Sequence, residues 1–274
     1  MKSRIRRLLH RVLINIRRPE MKILPGQLAF YIVLTLVPLM MIFAAVLPFF
    51  NLSSSSLQEV MMFHLPSNVV NFLTDVSKSG SLDSSNIVVL VTVLFFASNG
   101  PHSMIIASNL IYNIENKSYV HRRVKAFIML VFLIALLIFI LFVPVFGNII
   151  IKILCELFKS EHFSNTIYLM YHLAKYPISF FIIYFLVKLL YVLSPDKKIR
   201  SRNVTYGALF TSFFWIVSTA IFSFYVENFA SYNTIYGGIS SLIILMLWVY
   251  LLAYIYVLGM ALNVSKYEIE KRGV

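Results

Sequence analysis

Eight consecutive residues inside a long apolar stretch, Phe96-Ala97-Ser98-Asn99-Gly100-Pro101-His102-Ser103, set an amide, an imidazole and two hydroxyls beside a helix breaker. Proline has no amide proton and clashes with the carbonyl four residues back, so a helix through this run kinks or breaks and leaves carbonyls in need of partners or water. Two kinds of chemistry fit. One is a polar notch for a substrate, of the sort that discontinuous helices build in transporters. The other is a packed kink in which Asn99 and Ser103 bond neighbouring helices. His102 is open to three roles, as a proton relay, a headgroup ligand or a helix-packing histidine. Asn109, Tyr112, Asn113 and Glu115 carry polarity to the end of the same stretch, where Arg122 and Arg123 follow. Glu115 either pairs with one of these arginines or is solvated.

A second polar group, Tyr225, Glu227, Asn228, Tyr232, Asn233, Tyr236, Gly237 and Gly238, reads as an interfacial aromatic belt or as a vestibule facing a ligand. Trp248, Tyr250, Tyr254 and Tyr256 follow in the next apolar run, and their donors need partners in lipid, so several should face the interior. The candidate substrate path drawn from these groups is Asn99, Gly100, Pro101, His102, Ser103, Asn109, Glu115, Tyr236 and Trp248. Nothing catalytic assembles beside it. His10 and His121 fall on one side of the membrane, His64, His162 and His172 on the other, and His102 within it, so the spacing predicts no metal trio. Cys155 is the lone cysteine, which excludes an intrachain disulfide. There is no phosphate-cradling glycine loop, nucleophile elbow or HExxH helix. The sequence therefore predicts a protein that is not an enzyme and uses no cofactor.

The elements that must position these residues are apolar helices. A chain that is 59% hydrophobic and 13% charged, with mean hydropathy +0.83, has too little polar surface for a soluble domain. Six stretches reach membrane-spanning length: Gln27 to Phe50, Asn86 to Tyr112, Ala126 to Ile151, Tyr176 to Leu193, Tyr206 to Tyr225 and Gly238 to Val264. None alternates as a transmembrane strand does. The expected fold is all-α, a polytopic six-helix transmembrane bundle with an amphipathic interfacial helix at the N-terminus. Its parts are a basic segment (1–22), a membrane domain (23–265) and a short tail (266–274).

Lysine and arginine crowd the N-terminus, the 2–3 loop (Lys117, Arg122, Arg123, Lys125), the 4–5 loop (Lys197, Lys198, Arg200, Arg202) and the tail (Lys266, Lys271, Arg272), against only Lys78, Lys152, Lys159 and Lys175 on the other side. The positive-inside rule then puts both termini in the cytoplasm, in a multi-pass protein of the cell (inner) membrane. Before the first span, Ile5, Leu8, Leu9, Val12, Leu13 and Ile16 fall at helical spacing among Arg4, Arg6, Arg7, Arg11, Arg17 and Arg18, and Pro19 ends the run. This reads as a helix lying on anionic headgroups of the cytoplasmic leaflet, either as a binding element or as a plain topological anchor. The net charge of +13 is thereby assigned to membrane lipids and not to nucleic acid. No cleavable signal peptide is expected, because the basic start leads straight into a full-length span. The outer loops, 51–85 and about 152–175, hold Met61, Leu65, Val69, Phe72 and Leu73 and should form short helices at the outer interface.

Several strings taken together are similar to one family. Gln27-Leu28-Ala29-Phe30-Tyr31 through Thr35-Leu36-Val37-Pro38 resembles the first-helix signature of the YihY/virulence factor BrkB family, and Ala97-Ser98-Asn99-Gly100 with Asn109, Tyr112 and Glu115 resembles its second. Tyr191-Val192-Leu193-Ser194-Pro195-Asp196, Gly207-Ala208, Trp215, Tyr225, Tyr236-Gly237, Trp248-Val249-Tyr250, Gly259 and Asn263 continue the match in order. The resemblance implies a six-helix inner-membrane protein with ties to envelope integrity, serum resistance and export of lipid-like molecules. It also carries an old ribonuclease label for which this sequence supplies no constellation. Two departures stand out. Where many relatives have an acid two positions after the glycine, this chain has Ala261, and an expected Arg-Pro is Lys117-Ser118.

Overall fold

A computed structural model describes residues 10–46, 58, 61–62, 66–79, 87–135, 161–228 and 236–271. Within them the regular structure is helical, with no strand. The elements are α1 (residues 10–16), α2 (Glu20–Val46), α3 (Ser67–Ser79), α4 (Ile87–Ala97), α5 (Asn99–Tyr112), α6 (119–135), α7 (Glu161–Leu193), α8 (Ser201–Asn228) and, after a 3₁₀ turn at Gly237–Ile239, α9 (Ser240–Lys271). Among the described residues three helices are long and apolar enough to cross a membrane: Glu20–Ile42, Ser201–Asn228 and Ser240–Glu270. Pro177–Leu193 is a shorter apolar helix. The third expected span runs out of the described residues after 135, as does the end of the first after 46.

α9 is the central element, packed against α8 and α2, while α2 also carries α3, α4 and α5, and α7 flanks α8. The α8–α9 crossing is made by small residues. A methyl group on Gly207 would collide with the Gly259 carbonyl and Asn263 Oδ1, and one on Gly259 with Thr211 Oγ1 and the Tyr191 hydroxyl. Such close approach brings van der Waals contact and hydrogen bonds that lipid cannot supply. The Gly207 amide donates to Asn263 Oδ1 at 2.8 Å. Tyr191 donates to the Tyr256 carbonyl at 2.7 Å, so Thr211 Oγ1, also 2.7 Å away, is its donor. The rings of Tyr191 and Tyr256 stack with centroids 4.6 Å apart. Trp248 is buried and donates to Thr219 Oγ1, whereas Tyr250 and Tyr254, on the other faces of α9, are exposed. The outward side of α8 is apolar, with Phe213, Ile221 and Phe224 exposed, as suits a helix surrounded by lipid.

Two elements sit differently from their sequence expectation. α3 is more than a surface helix, because Val69 and Val70 are fully buried and Leu73 nearly so, wedged against α2 and α9. α1 turns Val12 and Asn15 inward, and Asn15 donates to Ser265 Oγ of α9 at 2.9 Å. Arg11 and Arg18 both pair with Glu268, at 3.2 and 3.6 Å, while Leu13 and Ile14 remain exposed. This stretch of the basic segment is thus clasped to the end of α9. Arg4, Arg6 and Arg7 lie outside the described residues.

Candidate functional site

Ser98 separates α4 from α5, and the break is one residue wide. Helical bonds persist on both sides, Ser98 N to the Leu94 carbonyl and His102 N to the Ser98 carbonyl, both at 3.0 Å. Pro101, buried at the start of α5, has no proton for the carbonyl one turn back. The Gly100 amide instead donates to Thr35 Oγ1 of α2 at 2.7 Å, and Thr35 passes its own proton to the Tyr31 carbonyl at 2.8 Å. A Cβ on Gly100 would stand 2.8 Å from that hydroxyl oxygen, so glycine is what lets the two helices meet.

The first turns of α6 meet the first turn of α5, where Asn99 pairs with Arg123 and His102 with Tyr119. Arg123 is only 7% exposed. Its guanidinium donates to Asn99 Oδ1 at 3.0 Å and to the Phe95 carbonyl at 3.1 Å, and lies 3.6 Å from the centroid of the Phe95 ring. The Phe95 carbonyl also accepts from Ser98 Oγ at 2.7 Å, so the serine and the arginine share this acceptor at the break. His102 meets the Tyr119 ring edge-on at 5.6 Å. Four buried atoms of these facing turns have no hydrogen-bond partner among the described residues: His102 Nε2, Ser103 Oγ, Arg122 Nε and Arg123 Nε. Among the described residues no carboxylate pairs with Arg122 or Arg123, and Glu115 is exposed and bonded to neither.

Below this site α5 ends on Asn113, which takes the left-handed conformation (φ 52°) and lets the Ile114 amide reach the Asn109 carbonyl at 2.8 Å. The Asn109 side chain turns away from the break. Its Nδ2 donates to Asp196 Oδ2 at 2.7 Å and to Asn116 Oδ1 at 2.9 Å, and its Oδ1 accepts the Asp196 amide at 2.8 Å. Lys125 of α6 closes the same turn, giving its three protons to the Ser194 and Pro195 carbonyls (3.0 and 2.7 Å) and Asp196 Oδ1 (3.0 Å). The Asp196 side chain is 1% exposed and that of Lys125 21%. Burial pushes the Asp196 carboxyl up, but donation from Lys125 and Asn109 outweighs it and holds the group below its ordinary range. Burial also lowers Lys125. Three acceptors around Nζ require a fully protonated ammonium, so the pair is ionic.

These contacts gather four separate segments at one end of the bundle. Arg18 donates to the Ile111 carbonyl at 3.4 Å, Lys117 N to Asp196 Oδ2 at 3.3 Å and Lys266 Nζ to the Arg202 carbonyl at 2.9 Å. The segments that sequence analysis groups on one side by their basic residues therefore lie at the same end.

Asn99, Gly100, Pro101, His102 and Ser103 form one turn, as their adjacency requires. Asn109 belongs to the Asp196 turn, and Trp248 is held between α8 and α9. Tyr236 stands at the start of α9 with its ring exposed. Tyr232 and Asn233 lie outside the described residues. Arg123, Lys125, Asp196 and Thr35 were not among the path residues, although each contacts one of them or lies in the same network. The available signal was two arginines and a lysine just ahead of an apolar run, which charge counting treats as topology alone.

The sequence profile of the family described as virulence factor BrkB matches residues 14–273. A ribonuclease-like protein, YfkH, of Bacillus subtilis (strain 168) is 26% identical over 253 residues, 90% of each chain. A UPF0761 membrane protein, NTHI0384, of Haemophilus influenzae (strain 86-028NP) is 28% identical over 232 residues, 82% of this chain and 81% of its own. Another UPF0761 membrane protein, from Glaesserella parasuis serovar 5 (strain SH0165), is 31% identical over 160 residues, 57% of this chain and 56% of its own. No solved structure matches.

Proposed function

The chain belongs to the virulence factor BrkB family of membrane proteins, and from that premise we propose that it handles or translocates a lipid-like, amphipathic substrate. In this reading it is a multi-pass protein of the inner membrane with both termini in the cytoplasm, and it does no chemistry and hydrolyses no ATP. The observation that carries the reading is the unpartnered buried polar edge of the broken helix. His102 Nε2 and Ser103 Oγ have no partner among the described residues, and an unsatisfied polar group in an apolar medium costs roughly several kcal/mol. A polar substrate head, or the water that precedes it, would supply what they lack.

A second reading, an envelope integrity or assembly factor that moves nothing, draws on the other half of the same turn. Asn99 and Gly100 are bonded to Arg123 and Thr35, as in a packed kink. Reconstitution separates the two. In vesicles carrying a fluorescent short-chain phospholipid, the first reading expects transbilayer movement faster than in protein-free vesicles, slowed severalfold by His102→Leu with Ser103→Ala. Movement no faster than the protein-free rate, with the protein folded and inserted, would leave the second reading standing.

A further inference from the structure

We propose that the facing turns of α5 and α6, His102 with Tyr119, Arg122 and Arg123, form a binding site for a phosphate anion, borne on a lipid headgroup or free in solution. The inference uses the same turn as the transport reading and names the chemistry of its ligand.

Among the described residues one buried charge has no counter-charge. Removing an ion from water costs several kcal/mol even after relaxation, and is normally offset by an opposite charge. Arg123 is 7% exposed, yet among the described residues its partners are all neutral: the Asn99 amide, the Phe95 carbonyl and the rings of Phe95 and Phe127. Its neighbour Arg122 is partly exposed, with its buried Nε unpartnered. Arg123 Nε and, on the facing turn, His102 Nε2 are likewise without a partner among the described residues. The backbone adds to the same sign. α6 begins here, capped by Ser118, whose Oγ receives the His121 amide at 3.4 Å, and the first turn of a helix presents amide protons and positive potential. Guanidinium groups match the planar, bidentate geometry of phosphate oxygens better than ammonium groups do.

Access fits a ligand arriving from the membrane boundary. Tyr119, Val120 and Val124 are exposed on the outer surface of α6, so the cationic turn opens between an aromatic ring and apolar residues. A headgroup phosphate could reach the arginines while its chains lie along α6, where Ile128 and Val131 are also exposed.

The test is direct binding to the full chain in a mild non-ionic detergent, read by native mass spectrometry and by thermal shift. The probes are short-chain phosphatidic acid, phosphatidylglycerol and phosphatidylcholine, and inorganic phosphate. Tighter binding of the two anionic lipids than of phosphatidylcholine, with at least a tenfold loss in Arg122→Gln and none in Lys198→Gln, is the expected result. Arg123→Gln loses binding too, but it also strips the Phe95 carbonyl of a donor and tests folding as much as the ligand. Arg122→Gln disturbs no helix carbonyl and so keeps the two apart. Inorganic phosphate that binds and displaces the lipids would assign the site to free phosphate; phosphate that does neither would assign it to headgroups. Equal binding of all three lipids, or unchanged binding in Arg122→Gln, overturns the inference. Intact binding with no lipid movement would overturn the transport reading alone.

Discussion

Asp196→Asn removes one charge from the most enclosed ionic contact in the described structure and leaves its shape in place. The side chain is 1% exposed and accepts from Lys125 Nζ at 3.0 Å, Asn109 Nδ2 at 2.7 Å and, more weakly, Lys117 N at 3.3 Å. An amide there must turn its NH2 toward either Lys125 or Asn109, setting donor against donor. Hydrogen bonds to charged groups contribute about 1.5–3 kcal/mol each, and breaking a buried pair costs about 3–5 kcal/mol. Lys125 is 21% exposed and keeps the Ser194 and Pro195 carbonyls, so the lower end applies and we expect a loss of about 3 kcal/mol. Lys125→Met should lose as much or more, since it leaves the carboxylate buried. The double variant should lose less than the two losses added, with a coupling of roughly 1–3 kcal/mol. Unfolding in mixed detergent and dodecyl sulfate micelles measures all four corners of the cycle. Single losses below about 1 kcal/mol, or strict additivity, would mean that the Asp196–Lys125 contact does not hold the turn. The same contact sets a pH response. Because the folded carboxyl sits below its ordinary 3.8, its stabilisation is complete above that value and is lost as pH falls through the lower folded value. Wild type should therefore lose stability in that acid range and Asp196→Asn should not share this part of the loss.

Gly207→Leu forces α8 and α9 apart and strands Asn263 Oδ1, so the protein should fail to reach the folded state in detergent, seen as loss of the monodisperse peak in size exclusion. Thr35→Val keeps the volume but orphans the buried Gly100 amide, at about 1–3 kcal/mol in the unfolding assay, and Thr35→Ser should restore most of it. Glu268→Gln releases two partly exposed arginines, pairs that contribute at most about 1 kcal/mol, so global stability should hold while hydrogen exchange over residues 10–18 speeds up. Single cysteines at Asn116, Lys198 and Glu270 should react with a membrane-impermeant thiol reagent from the same side, and one at Ser67 from the opposite side; labelling of the first three from different sides would contradict the bundle.

Helices and their grouping by end were legible in the sequence because both follow from simple solvent physics. Apolar runs declare helices in lipid, and Lys and Arg declare which loops share a side. What charge counting leaves unread is the use of individual basic residues. Arg123 reads as one more topological charge until the hairpin brings it to Asn99, and Lys125 until it meets Asp196, 71 positions away. Asn109 looked like part of a polar track from the break, since helix spacing puts it in line. Its true partner depends on a turn 87 positions on, which periodicity cannot foresee. Val69 and Leu73 read as interfacial for the same reason, as burial against two other helices is a property of assembly.

The Ser194-Pro195-Asp196 turn also constrains how the bundle can move. It is gripped by Asn109 from α5 and Lys125 from α6, while it joins α7 to α8, so two helical hairpins share one rivet. Levers riveted at one end separate only at the other. Any rearrangement that spreads these hairpins without breaking the ionic contact must open away from the basic end, with displacements that grow with distance from Asp196.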